Sequence, residues 1–269
     1  CAAVLTSAQV GVFQVAIVWG LGIATAIYLT GGLSGAHLNP AVTISMAVWS
    51  DFPKKRVAPY LVTQVLGAFA GAAVLYFIFS DALDTFEKAN HIVRGLPGSE
   101  ASAMVFGEYF PNPGGHPLTE EARLRMSLLA AFGAEIIGTA VLLLVIFCVT
   151  DERNKGRPGI LTAATIGLTV TLLISLLGPL TMACFNPARD FGPRLFSALA
   201  GWGEVPFRTN GMGWLTVYIL APTLGGLLGG GIYRFFFKPA YPEHVVPLTL
   251  DSDRRDLPVE KSVSFEYPR

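Results

Sequence analysis

Five apolar stretches dominate this sequence, and each is long enough to cross a lipid bilayer. A membrane-spanning helix needs roughly 20 apolar residues, and the stretches cover about residues 10–30, 57–79, 126–149, 160–180 and 213–237. The 269-residue chain is 52% hydrophobic and only 14% charged, whereas a soluble domain carries about 25% charged residues. The sequence therefore predicts an all-α membrane protein. A net charge of zero offers nucleic acid no electrostatic attraction.

Two shorter apolar stretches, at about 39–49 and 186–200, begin with the same tripeptide, Asn-Pro-Ala. Asparagine is a good N-cap, and proline suits the first position of a helix. A helix of this length rises about 16 Å, which is half of a hydrocarbon core of about 30 Å. We therefore predict two half-spanning helices, which begin with Asn39, Pro40 and Ala41 and with Asn186, Pro187 and Ala188.

The segments before the half-helices, 31–38 and 178–185, are predicted to be non-helical. Irregular backbone at membrane depth is tolerated where it is buried or lines a water-filled cavity. Paired interruptions of this kind are typical of a transport site, which favours a pore over two re-entrant loops that only pack together. The backbone carbonyls predicted to line the pore are those of Gly35, Ala36, His37, Met182, Ala183 and Cys184.

The chain contains an internal repeat. Gly20 and Gly167 each precede an Asn-Pro-Ala motif by nineteen residues, and similar spans, which begin near Tyr60 and Tyr218, follow the two half-helices. The second half has one further span in front, 126–149, where the first half has only the first nine residues. Three spans per repeat place the second repeat upside down relative to the first. We therefore expect the first span of the first repeat to be missing from this chain and a groove to remain in its place.

The predicted organisation is a single channel domain over residues 1–238. It comprises inverted repeats at about 1–80 and 126–238 and an outer loop at 80–125, and a polar, flexible cytoplasmic tail follows at 239–269. Basic residues cluster on one side of this topology, which the positive-inside rule makes cytoplasmic. They are Lys54, Lys55, Arg56, Arg153, Lys155, Arg157, Arg234 and Lys238.

Polar side chains at membrane depth mark the predicted pore. The N-terminus of each half-helix carries a partial charge of about +0.5. Together with Arg189, which lies three residues into the second half-helix, these charges would exclude cations and protons. Asn39 and Asn186 can each turn an amide N–H toward a passing oxygen atom. Glu135 lies inside a span and fits either a proton relay or, in the interpretation we favour, an acceptor for loop N–H groups.

The remaining candidate groups are interpreted as structural. His37 could gate a pore by protonation, but we favour a histidine that fixes its loop. Cys148 and Cys184 lie in apolar runs and, with Cys1, form no Cys-x-x-Cys spacing. The sequence therefore predicts no disulfide, no metal site and no cofactor.

Two segments resemble the signature loops of a known family: Ser34-Gly-Ala-His-Leu-Asn39-Pro-Ala-Val and Phe185-Asn186-Pro-Ala-Arg189-Asp190-Phe-Gly-Pro. Over residues 1–238 the chain resembles the aquaporin (major intrinsic protein) superfamily. Trp19, Asp190, Arg194 and the loop segment 91–95 are similar to those of the glycerol facilitators within it. The resemblance implies a homotetramer in the cell or inner membrane, with one pore in each subunit.

The resemblance also implies a narrow selectivity filter of four positions, which fall here on Trp19, Ile174, Ala183 and Arg189. The first and last match the glycerol facilitators. Those proteins usually have glycine at the position of Ile174 and an aromatic residue at that of Ala183. The set in this chain looks more like that of the nodulin-type plant channels, which pass glycerol and some undissociated metalloid acids.

The expected function is the passive passage of glycerol, with urea and water, and the exclusion of ions and protons, without enzymatic activity. One alternative is a channel of the same fold that prefers water or undissociated metalloid acids. Another is an ion-coupled secondary transporter. A transporter would need coupling-ion ligands at the midplane, where Asp190 is the only acid of the two half-helices.

Overall fold

The computed structural model describes residues 1–6 and 11–242. Five of its helices are long and apolar enough to cross a membrane, which confirms the all-α membrane class. Seven helices build the site: α1 (Val12–Ser34), α2 (Pro40–Trp49), α3 (Val57–Ala89), α4 (Leu128–Thr150), α5 (Thr162–Thr181), α6 (Pro187–Ser197) and α7 (Gly213–Ala240). Short helices lie at Ala2–Thr6, Glu100–Ala103, Glu120–Leu124 and Val205–Arg208.

Three boundaries differ from those predicted. Helices α1 and α5 continue to Ser34 and Thr181, so the non-helical segments are residues 35–38 and 182–185, half as long as predicted. Helical hydrogen bonding persists because backbone donors at membrane depth have no water to bind. Helix α3 continues to Ala89. Its last turns are polar because they lie beyond the apolar layer of the membrane, and this change in polarity does not end the helix. The outer loop, predicted at 80–125, therefore covers residues 90–127. We call this segment the long loop.

The two halves meet where α1 crosses α5. A Cβ atom added at Gly20 would lie 2.4 Å from the carbonyl oxygen of Gly167, and one added at Gly167 would lie 2.3 Å from that of Gly20. Only glycine allows backbones to approach this closely, as in the small-residue contacts of membrane helices. Gly20 and Gly167, which lie at the same distance before their Asn-Pro-Ala motifs, therefore contact each other in the fold.

Each half-helix packs against the span that follows the other half-helix. On α6, a Cβ at Gly192 would lie 2.9 Å from the Cβ of Ala68 on α3. On α7, a Cβ at Gly226 would lie 2.7 Å from Oγ of Ser45 on α2. In the repeat Ser45 corresponds to Gly192, and Ala68 corresponds to Gly226. The same contact therefore occurs twice, with the glycine on opposite partners.

One helix face lacks the contact that its counterpart makes. Gly225 and Gly229 of α7 pack on α4, where added Cβ atoms would lie 2.4 Å and 2.1 Å from the carbonyl oxygens of Ile136 and Ala140. The corresponding residues of α3, Gly67 and Gly71, have open space at the Cβ position and line a cavity instead. This is where the sequence predicted a groove. Residues 243–269, the greater part of the predicted tail, lie outside the described residues.

Candidate functional site

The two segments that precede the half-helices share one unusual backbone conformation. Gly35, Ala36 and Leu38 have φ values of 71°, 47° and 53°. Their counterparts in the repeat have φ values of 64° (Met182), 58° (Ala183) and 52° (Phe185). A left-handed conformation costs a non-glycine residue roughly 1–2 kcal/mol. Such strain persists only where surrounding contacts hold it, and it is concentrated at functional sites.

Glu135 of α4 holds the second of these segments. Its Oε1 accepts hydrogen bonds from Oγ1 of Thr181 at 2.6 Å and from the Cys184 N–H at 3.0 Å, and its Oε2 accepts from the Phe185 N–H at 2.8 Å. The carboxylate is completely buried. These contacts agree with the loop-support interpretation. Among the hydrogen bonds of the described residues, none joins Glu135 to a second carboxylate.

The two asparagines cap their own half-helices and reach across to the opposite half. Oδ1 of Asn39 accepts from the Ala41 N–H at 2.8 Å, and Oδ1 of Asn186 accepts from the Ala188 N–H at 3.1 Å. Nδ2 of Asn39 donates to the Phe185 carbonyl at 2.7 Å, while Nδ2 of Asn186 donates to the Leu38 carbonyl at 2.9 Å. An amide NH₂ has two donors, so each asparagine retains one hydrogen for another partner.

His37 is fixed among aromatic rings on the first segment. Its Nδ1 lies 3.1 Å from Oγ1 of Thr43, and its ring centroid lies 4.6 Å from that of Phe52 and 5.2 Å from that of Tyr60. The Tyr60 hydroxyl donates to the Ser34 carbonyl at 3.0 Å. This packing agrees with a loop-fixing histidine.

Two neighbouring cavities follow these residues and share several lining residues. The wide part, about 960 Å³, also includes the groove beside Gly67 and Gly71, and the other is a narrow chamber of about 60 Å³. Gly35, Ala36 and His37 line the wide part, and Met182, Ala183 and Cys184 line the chamber. Both asparagines border both parts. That the backbone carbonyls of these segments face the pore remains a prediction.

The four predicted filter residues all line the narrow chamber, although Trp19 belongs to the first repeat and the other three belong to the second. The guanidinium carbon of Arg189 lies 4.5 Å from the ring centroid of Trp19. Ile174 and Ala183 are buried in the chamber wall. Arg189 is therefore held against an aromatic face.

Sequence reasoning missed the partners of Arg189. Its Nη1 donates to the Phe106 carbonyl at 3.0 Å, and its Nη2 lies 2.6 Å from Oε1 of Glu108. Both partners come from the long loop. The signal that could have revealed them is the apolar run at 101–110, in which Glu108 is the only charged residue, because an exposed loop does not need such a run.

Two charged residues of α6 fix the backbone of Glu108. Oδ1 of Asp190 accepts its N–H at 2.7 Å, and Nη2 of Arg194 donates to its carbonyl oxygen. Asp190 and Arg194 also form an ion pair of 2.8 Å and are almost completely buried. Glu108 lies in the long loop, outside the spans. Burial raises the pKa of its carboxyl group to about 8, although the nearby Arg189 guanidinium acts in the opposite direction.

A cavity lined by two half-spanning helices is an arrangement typical of membrane channels. The family model described as "Major intrinsic protein" matches residues 2–233. The glycerol uptake facilitator protein of Pseudomonas aeruginosa is 40% identical over 258 residues, which cover 94% of this chain and 88% of the relative. That of Escherichia coli (strain K12) is 41% identical over 247 residues, which cover 91% and 83%.

The similarity extends to a solved structure. The X-ray structure of the aquaglyceroporin from Plasmodium falciparum matches with a TM-score of 0.74 at 27% sequence identity, and the match covers 88% of each chain. This chain belongs to the major intrinsic protein family. It is accordingly a membrane channel and not an enzyme.

Proposed function

We propose that this protein is a passive channel for glycerol and other small uncharged solutes. The observation that carries the proposal is the narrow chamber, which Trp19, Ile174 and Arg189 line together and in which the Arg189 guanidinium lies over the ring of Trp19. Such a wall suits a molecule with a carbon edge and a hydroxyl edge. Two relatives about 40% identical to this chain are named as glycerol uptake facilitators, which supports the same solute.

The pore chemistry follows from the two half-helices. Asn39 and Asn186 each keep one amide hydrogen beyond the bond to the opposite half, and that hydrogen can bind a passing hydroxyl oxygen. The positive ends of both helix dipoles point to the same region. A cation there meets unfavourable charge, and a single oxygen bound by two donors must turn its own hydrogens away. Protons and small cations are therefore excluded.

The filter limits the size and polarity of the solute. Trp19 supplies a flat apolar face for a carbon chain. Arg189 has five N–H donors, and those not bound to Phe106 and Glu108 remain for hydroxyl oxygens. Ala183 lacks the ring that glycerol facilitators usually have at its position, while Ile174 adds carbons to another wall. We infer an elongated opening that passes glycerol and urea and stops hexitols.

A second candidate has specific support in the same residues. Because Ala183 is small, the chamber could favour water or undissociated metalloid acids over glycerol, as the filter set of Trp19, Ile174, Ala183 and Arg189 suggested from the sequence. The cavity geometry is common to both functions. Measured solute ratios separate them.

The assembly and orientation belong to the same proposal. Many large apolar side chains on α1, α3 and α5 are exposed, such as Leu29, Phe77 and Leu172, and such faces suit lipid or neighbouring subunits. We propose a homotetramer with one pore per subunit and with the C-terminal tail in the cytoplasm. The basic residues that follow α2 and α4, and those in the last turns of α7, support this orientation.

Stopped-flow light scattering on proteoliposomes tests the function. Gradients of glycerol, urea, arabitol and sorbitol are compared with an osmotic water gradient, and protein-free liposomes give the background. We expect fast swelling with glycerol and urea and none above background with sorbitol. Glycerol flux at the background rate beside fast water flux would contradict the glycerol assignment and favour the second candidate.

A further inference from the structure

The two spans that lead into the strained segments end in the same way. Ser34 is the last residue of α1, and its carbonyl accepts from the Tyr60 hydroxyl at 3.0 Å. Thr181 is the last residue of α5, and its carbonyl accepts from the Tyr218 hydroxyl at 3.2 Å. The two tyrosines occupy corresponding positions in the repeat. The same hydrogen bond therefore joins, in each half, the span after the half-helix to the span before it.

The Thr181 carbonyl depends on this tyrosine for its donor. The last carbonyls of a helix have no partner within the helix, and no water reaches a buried one at membrane depth. Thr181 and Tyr218 are both completely buried. The Thr181 side chain acts on the same segment, since its Oγ1 accepts from the Ala183 N–H at 3.2 Å. Thr181 is therefore the residue through which the start of segment 182–185 is fixed.

The peptide group that contains this carbonyl governs the conformation of Met182. The carbonyl of Thr181 and the N–H of Met182 lie in one rigid plane, and the φ angle of Met182, 64°, is the first rotation after that plane. The strain of a left-handed residue and one hydrogen bond to a buried carbonyl have free energies of similar size. A bond that holds the plane can therefore decide whether Met182 keeps this conformation.

We propose that Tyr218 is a positioning residue of the filter. Its hydroxyl holds the peptide group before Met182 and thereby keeps Met182 and Ala183 in the conformation that shapes the narrow chamber. This inference rests on the proposed function of the chamber. Met182 and Ala183 line the chamber, whereas Tyr218 does not. The tyrosine therefore acts through the backbone and not by contact with the solute.

The other half of the repeat differs at one decisive residue. The counterpart of Met182 is Gly35, which has a φ value of 71°. Glycine adopts such an angle without steric cost, so the Tyr60 hydroxyl has less strain to hold. The segment that Tyr60 supports also contributes none of the four proposed filter residues. Tyr60 and Tyr218 therefore make the same bond but should differ in their effect on selectivity.

The test measures size selectivity as the ratio of arabitol to glycerol permeability in proteoliposomes, which does not depend on how much active protein is reconstituted. Tyr218→Phe removes the hydroxyl group and keeps the ring. The peptide group is then free to turn, Met182 relaxes, and the chamber loses its fixed shape, so the larger polyol enters more easily. We expect the ratio to rise about fivefold, the factor that corresponds to one hydrogen bond. Tyr60→Phe should leave the ratio at the wild-type value.

Tyr109→Phe is the matched control. Tyr109 is also completely buried, but its hydroxyl has no hydrogen-bond partner among the described residues, so its removal breaks no bond. The ratio of this variant should equal that of the wild type.

Met182→Gly tests the link through backbone strain. Glycine keeps the left-handed conformation without the help of the tyrosine. Adding Tyr218→Phe to Met182→Gly should therefore change the ratio of the glycine variant by less than about twofold. If Tyr218→Phe alone does not fold, recovery of folded protein on addition of Met182→Gly would support the same link, and the absence of recovery would overturn it.

The outcomes are distinguishable. An unchanged ratio in Tyr218→Phe, even with a lower thermal unfolding midpoint, would show that the bond serves only the fold and would overturn the positioning role while the channel function stands. A rise of equal size in Tyr60→Phe or Tyr109→Phe, or on the Met182→Gly background, would overturn it as well. A wild-type protein that carries no glycerol would instead overturn the proposed function.

Discussion

Gly20 and Gly167 touch backbone to backbone, and a Cβ on either would lie within 2.4 Å of the other's carbonyl oxygen. Gly20→Ala should therefore push α1 and α5 apart, at a cost of about 1–3 kcal/mol for overpacking. The measurement is the thermal unfolding midpoint of the purified protein in detergent. Gly22→Ala is the control, since Gly22 lies on the same helix with open space at Cβ. It should leave the midpoint unchanged or raise it, because alanine favours helix.

The glutamine variant of Glu135 tests the support of the strained segment. An amide can accept with one oxygen only, so Glu135→Gln leaves the Cys184 or Phe185 N–H without its partner. We expect a loss of about 1–3 kcal/mol in stability and lower permeability for every solute. Glu152→Gln, at an exposed position, should change neither. A pH-dependent proton current that disappears in Glu135→Gln would support the proton relay instead.

Ala183→Phe tests the width of the filter. A ring in place of a methyl group fills part of a chamber of about 60 Å³, so the linear polyol should be favoured over bulkier solutes. The ratio of glycerol to urea permeability is the measurement, and it should change at least severalfold. If the ratio stayed constant, Ala183 would not belong to the constriction.

Arg189→Val should admit cations. The substitution removes the positive charge of the filter, which opposes the entry of cations. Sodium entry into liposomes, followed with an ion-sensitive dye, measures the leak. A leak no larger than that of the wild type would show that the helix dipoles, not the charge of Arg189, set cation exclusion.

Most of the fold could be predicted from the sequence because hydrocarbon imposes simple rules on length, polarity and backbone hydrogen bonding. The asparagine caps and the repeat-related glycines follow from local chemistry and from exact spacing. The ends of α1, α3 and α5 could not be placed correctly, since hydropathy changes at the edge of the membrane whereas a helix ends where its hydrogen bonding ends.

The proposed filter was harder to predict because Trp19 comes from the first repeat and Ile174, Ala183 and Arg189 come from the second. The four positions were assigned by resemblance, and Arg189 also by its cost at membrane depth. Glu108 could not be found in this way, since its position depends on how the long loop folds back over α6. Tertiary contacts to Asp190 and Arg194 decide that path. The apolar run at 101–110 indicates that this part of the loop is buried but does not indicate which residues it contacts.

The hydrogen bonds that the side chains of Asn39 and Asn186 make to the opposite halves have a consequence for what the cell can gain from this protein. Each bond ties one half of the chain to the backbone of the other, and both would have to break if the halves rocked apart to alternate between inward-open and outward-open states. A channel needs no such cycle and so has no step at which metabolic energy could be coupled to movement. Transport then stops when the concentrations on both sides are equal, and uptake continues only while another process inside consumes the solute.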